Sequence, residues 1–139
     1  MATRFSDVYT AVCREAEGRA IEILQRALTP EERQGIWHTV TLTRLEFVDL
    51  ALQRAESAEE VESILLQSAD DCADKLPETL DSLHGLLKVV LGRDLTPEEV
   101  AQVQKIDAPV KAMQLGEVLT AEDATDPEAV LQNWFASVL

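Results

Sequence analysis

The side chains best able to do chemistry are two carboxylate pairs one helical turn apart, Glu46-x-x-Asp49 and Asp71-x-x-Asp74, and a single Asp81-x-x-His84. Acids three residues apart share a helix face, and two such pairs brought opposite each other make an oxygen-rich cage suited to Mg²⁺. A carboxylate-x-x-His pair is half of what a di-iron bundle needs; the second pair and the facing Glu residues have no counterpart here. His38, beside Trp37, reads as an ordinary helical residue. Nucleophilic chemistry finds little support: no Gly-x-Ser-x-Gly elbow occurs, and neither Cys13 nor Cys72 has a His close by in sequence. Glycine-rich phosphate loops are also lacking, with only five Gly in the chain.

The Glu46-x-x-Asp49 and Asp71-x-x-Asp74 pairs resemble the paired ExxE and ExxD motifs of the all-helical MazG-type nucleotide pyrophosphohydrolases. That resemblance covers four residues and departs from the expected Glu at two of them; it implies a Mg-dependent enzyme. Helix geometry argues the other way. In a hairpin turning at residue 56, Glu46 lies level with about residue 66 and Asp49 with about 63. Asp71 and Asp74 then fall roughly 8–12 Å further along. No catalytic, metal or cofactor residue is therefore assigned from sequence, and no cofactor is expected.

Charge is the stronger signal. The formal charge is −14, from 26 acidic and 12 basic residues. Residues 46–81 hold eleven acids against Arg54 and Lys75, whereas residues 1–45 and 82–111 are balanced. Such a field disfavours direct binding to nucleic acid or to an anionic membrane and attracts a basic protein surface. Glu56, Glu59, Glu60, Glu62, Asp70, Asp71 and Asp74 are the candidate partner-binding residues. An alternative is nucleic-acid mimicry, by which the chain would inhibit a DNA- or RNA-binding protein. A helix over 58–75 would be about 27 Å long, with six carboxylates at one per roughly 4.5 Å. Duplex DNA presents one charge per about 1.7 Å, so the imitation is dilute.

The elements that must position these groups are helices. Thr29-Pro30-Glu31-Glu32, Ser57-Ala58-Glu59-Glu60, Thr96-Pro97-Glu98-Glu99 and Thr120-Ala121-Glu122-Asp123 each place a hydroxyl cap before acids, and Asp126-Pro127-Glu128 is a shorter version. The cap oxygen accepts from a first-turn amide, the Glu three residues later reaches back, and Pro at the first position loses no needed donor. Hydrophobic residues are 46% but aromatics only 4%, so the core must be aliphatic, which suits helix-on-helix packing. The expectation is an all-α, single-domain bundle over 1–139 with six to seven helices, four longer ones followed by shorter C-terminal ones.

In detail, a first helix is expected from about residue 5 to Leu28, its inner face including Val8, Val12, Ala16 and Ala20, with Gly18 placed to allow a close helix crossing. A second runs from Pro30 to Ala55, apolar over most of its girth from Ile36 to Leu52. A third runs from Ser57 to Lys75, where Pro77 breaks it, and a fourth reaches Leu91 with Gly92 as a left-handed stop. Short helices over 97–105 and from Pro109 to near Gly116, a loop over 117–126, and a last helix from Pro127 complete the chain. The string Arg-x-Leu-Thr-Pro-Glu-Glu occurs at 26–32 and again at 93–99. The sequences then diverge, so recurrent capping chemistry accounts for the match and a solenoid is rejected.

Two apolar surfaces, over 36–52 and 130–139, need covering. Trp37, Leu45, Val48, Leu52, Trp134 and Phe135 are the candidate self-association residues of a homodimer. Cys13 and Cys72 read as reduced, buried hydrophobes. The N-terminus has no apolar signal core and no stretch approaches the roughly 20 apolar residues of a membrane span, so a cytoplasmic location is expected. The function expected from sequence is that of a non-enzymatic protein–protein interaction module: a regulator, adaptor, chaperone or inhibitor that shows an acidic helical face to a basic partner.

Overall fold

In the computed structural model, which describes residues 4–121 and 125–139, the chain is all-helical: eight helices and no strand among the described residues. They are α1 Phe5–Leu24, α2 Pro30–Trp37, α3 Leu42–Arg54, α4 Ala58–Asp71, α5 Lys75–Leu91, α6 Pro97–Gln104, α7 Pro109–Leu119 and α8 Pro127–Val138. Their contacts cluster into two compact units, unit 1 over Met1–Lys75 and unit 2 over Leu76–Leu139.

In unit 1, α1 buries Tyr9, Cys13, Ala16 and Ala20, at the four- and three-residue steps of one helix face. Ala16 and Ala20 lie inside as expected, but in the first turns the inner positions are Tyr9 and Cys13, with Val8 exposed and Val12 half-buried. The small side chains on α1 admit close neighbours. The closest approach, however, is made by Gly35 in α2, not by Gly18, which is exposed with nothing near it. A Cβ at Gly35 would lie 2.2 Å from the backbone oxygen of Leu65 in α4. There the Ser68 hydroxyl donates to the Gly35 carbonyl at 2.6 Å.

The long second helix expected from Pro30 to Ala55 is two helices, which accounts for the count of eight. The break at 38–41 is held by Tyr9. Its hydroxyl accepts from the Val40 amide at 3.1 Å and lies 3.1 Å from the Trp37 carbonyl and 2.8 Å from Thr39 Oγ1. Val40 adopts φ 68°, a left-handed conformation disfavoured for a β-branched residue, and Thr41 then caps α3 by accepting from the Arg44 amide. Three consecutive β-branched residues, Thr39-Val40-Thr41, are poor helix material. A second boundary also moves. The turn between α4 and α5 occupies Cys72–Asp74, and Pro77 sits in the first turn of α5 rather than ending a helix, a place where its missing amide is no loss.

Unit 2 packs Leu83 and Leu87 of α5, Val103 of α6, Ala112, Leu115 and Leu119 of α7, and Leu131, Trp134 and Phe135 of α8 into one cluster. Trp134 and Phe135 meet edge to face, with ring centres 6.0 Å apart. Helix α7 continues to Leu119, with Thr120 closing its end instead of opening a helix; Glu122 and Asp123 lie outside the described residues.

The two units repeat one plan. Each runs long helix, left-handed residue, capped eight-residue helix, then two helices of intermediate length. Positions 67 residues apart correspond: Gln25 and Gly92 are both left-handed, α2 and α6 share both ends, and α3 and α7 share their starts. Buried positions correspond too, as Ala16 with Leu83, Ala20 with Leu87, Ile36 with Val103, Val48 with Leu115, and Leu52 with Leu119. In the final helices the spacing is 66, pairing Glu62 with Glu128, Leu65 with Leu131, Ser68 with Trp134, and Ala69 with Phe135. The repetition therefore extends well beyond the capping string.

Candidate interaction face

The repeated Arg-x-Leu-Thr-Pro-Glu-Glu string forms the same knot twice. Arg26 grips Glu32 with two parallel hydrogen bonds of 2.7 and 2.9 Å and reaches Glu62 at 3.1 Å. Arg93 grips Glu99 at 2.8 and 3.1 Å and reaches Glu128 at 2.6 Å. Each Glu also closes a capping box with its Thr. Both carboxylates are buried, and the hydrogen bonds from Arg26 and Arg93 lower their pKa from 4.5 to about 2. These knots fix the entry of α2 and α6 against α4 and α8; their charges are satisfied within the chain.

Most of the candidate partner-binding acids are on the surface. Glu56, Glu59, Glu60, Asp70, Asp71 and Asp74 are exposed along α4 and at its two ends. Ser57 caps this helix by accepting from the Glu60 amide, and Glu60 itself accepts from the amide of Glu56. Glu62 differs: it faces Arg26 and helps close the first knot. Six carboxylates therefore remain on the outward side of α4 and its flanks.

Sequence placed the self-association residues on open apolar surfaces, and the structure puts them elsewhere. Leu45 and Leu52 are fully buried within unit 1 and Val48 nearly so, while Trp134 and Phe135 are buried in the core of unit 2. Their own units supply the packing they need. Trp37 is half-buried, its indole donating to Glu17 Oε2 at 3.0 Å with the Arg33 guanidinium over its ring. What α3 does turn outward is Phe47, 69% exposed, and Leu50.

Phe47 borders an open groove of about 530 Å³ between α3 and α4, whose walls include Arg44, Ala51, Ile64 and Asp71 and whose floor includes Val48 and Ser68. On α4 the acids Glu60 and Asp71 stand before and after Ile64 at helical spacing, so one stripe carries both the charge and the groove wall. The sequence pattern does not reveal this groove, because it lies between two helices whose mutual packing no local signal fixes, and Phe47 departs from the apolar face expected to be covered.

The paired acids of the pyrophosphohydrolase resemblance do not meet as that chemistry requires. Asp49 accepts from Arg19 at 3.1 Å and from Gln53 at 3.2 Å. Asp71 accepts from Gln67 on its own helix, and Glu46 and Asp74 face outward. Among the described residues no three His, Cys, Asp or Glu side chains gather as a metal ion would need. Cys13 and Cys72 are buried and unbridged, and burial pushes the Cys13 thiol up to about 12, which keeps it protonated and unreactive at neutral pH. No helix among the described residues is long and apolar enough to cross a membrane. No family model, no curated protein and no solved structure matches the chain.

Proposed function

We propose that this chain is a non-enzymatic interaction module whose acidic α4 face captures a basic protein partner, in the manner of a regulator, adaptor, chaperone or inhibitor. The observation that carries this reading is the exposure of Glu56, Glu59, Glu60, Asp70, Asp71 and Asp74 on one short helix and its ends, in the segment that holds most of the excess charge. Complementary charge of this kind speeds encounter and selects partners more than it adds affinity. Nucleic-acid mimicry is the weaker reading, because Glu62 is tied to Arg26 and the outward row is thinner than the sequence suggests.

The test is affinity capture from the native host with the wild-type chain and the Glu59→Lys, Asp71→Lys double variant, at several salt concentrations. The wild type is expected to retain basic proteins whose yield falls as salt rises. The double variant is expected to lose them, and equal capture with equal salt response overturns the proposal.

A further inference from the structure

We infer that the groove between α3 and α4 of unit 1 is a docking slot for a bulky apolar side chain, carried on a basic amphipathic helix of the partner. This rests on the acidic-face reading and gives that face an anchor point. The first ground is the internal comparison. Unit 2 has Trp134 at the position of Ser68, and that indole is buried in a cluster with Leu115, the counterpart of Val48. Unit 1 has a serine there, with its hydroxyl bound to Gly35, and an open groove beside it. Bulk that unit 2 draws from its own chain is thus missing from unit 1.

The second ground is the chemistry of the rim. Phe47 stands 69% exposed at one wall, where the corresponding residue of unit 2 is Gln114. An exposed aromatic at the edge of an apolar groove marks an anchor site. Asp71 lines the α4 wall and Arg44 the α3 wall, while Glu60, four residues before Ile64, and Glu59, Asp70 and Asp74 continue the acidic face of α4 and its end beyond the groove. A helix that lays an aromatic or long aliphatic residue into the groove would bring the Lys and Arg residues beside it onto these carboxylates. A second copy of this chain is a poor occupant, since each copy carries a formal charge of −14 and the two acidic rims would face each other.

The probe is a synthetic helical peptide with one central Trp on its apolar face and Lys on the other. It is compared with a twin in which Trp is Ala and another in which Lys is Glu. Binding is read by fluorescence anisotropy and located by amide chemical shifts of the intact chain. The expected result is saturable binding with shifts concentrated on α3 and α4, weakened at least tenfold for each twin. Ala51→Trp, at a half-exposed position, should fill the slot and also cost at least tenfold. Because this variant alters packing, Phe47→Ala, at an exposed position, provides the second measurement and should weaken binding several-fold.

Binding that ignores Ala51→Trp and Phe47→Ala, or shifts lying outside α3 and α4, overturns the slot. If charge reversal at Glu59 and Asp71 still abolishes capture in that case, the acidic face stands and the slot alone falls. If neither matters, both fall. A dimer by light scattering that Phe47→Asp dissolves would assign the groove to a second copy and overturn the peptide proposal.

Discussion

The two halves of this chain solve one packing problem with opposite materials. Unit 1 lines its helices with small groups: Cys13, Ala16 and Ala20 on α1, Gly35 on α2, Ser68 and Ala69 on α4. Unit 2 puts Leu80, Leu83, Leu87, Gln102, Trp134 and Phe135 at the corresponding places. Small residues permit close backbone approach, as Gly35 shows against Leu65; large ones fill more space with side chains. The knots at Arg26 and Arg93 are meanwhile almost identical. Turn chemistry is thus held constant while the interior varies, and the variation leaves a groove beside α3 and α4 in unit 1.

The largest difference between the units is expected at the close approach. Gly35→Ala forces α2 away from the Leu65 backbone, where no flexible side chain can yield, and should destabilise by about 3 kcal/mol in denaturant titration. Gln102→Ala, at the matching position of α6, should change stability by less than about 0.5 kcal/mol. Similar costs at both sites would mean that the small-residue packing of unit 1 is not what distinguishes it.

The helix breaks differ next. In unit 2, Pro109 opens α7 at its first position, so the stop is written locally. In unit 1 the break relies on Tyr9, about thirty residues upstream. Tyr9→Phe leaves Val40 N–H and its neighbours without that oxygen and should cost about 1–3 kcal/mol. Hydrogen exchange should quicken at residues 38–42 and stay unchanged at 105–110.

That contrast explains what could be read from the sequence. Caps, Pro and Gly act within three or four residues, so the starts at Pro30, Ala58, Pro97, Pro109 and Pro127 and the stop at Gly92 were legible. The break at 38–41 carries only a weak local signal, the run Thr39-Val40-Thr41, and is completed by tertiary hydrogen bonds with the Tyr9 hydroxyl. The groove was hidden because it lies between α3 and α4, whose packing is tertiary. Burial of Leu45, Leu52, Trp134 and Phe135 against their own units also needed the packing. The exposure of Glu56, Glu59, Glu60, Asp70, Asp71 and Asp74 followed from pattern alone, whereas the engagement of Glu62 depended on where Arg26 points.

The caps should show no difference at all. Thr29→Ala and Thr96→Ala each remove an acceptor for a first-turn amide, and each should cost about 1 kcal/mol. The acid response sharpens the same equivalence. Glu32 and Glu99 have folded pKa values near 2 against an ordinary 4.5, so each binds protons less readily when folded. Their stabilisation is complete above pH 4.5, and it is lost as pH falls through about 2. Glu32→Gln and Glu99→Gln should each flatten the loss of stability across that window, with equal slopes. Thermal melts from pH 6 to pH 2 measure this directly. A flattening confined to one variant would show that the two knots, alike in geometry, do not hold their units in the same way.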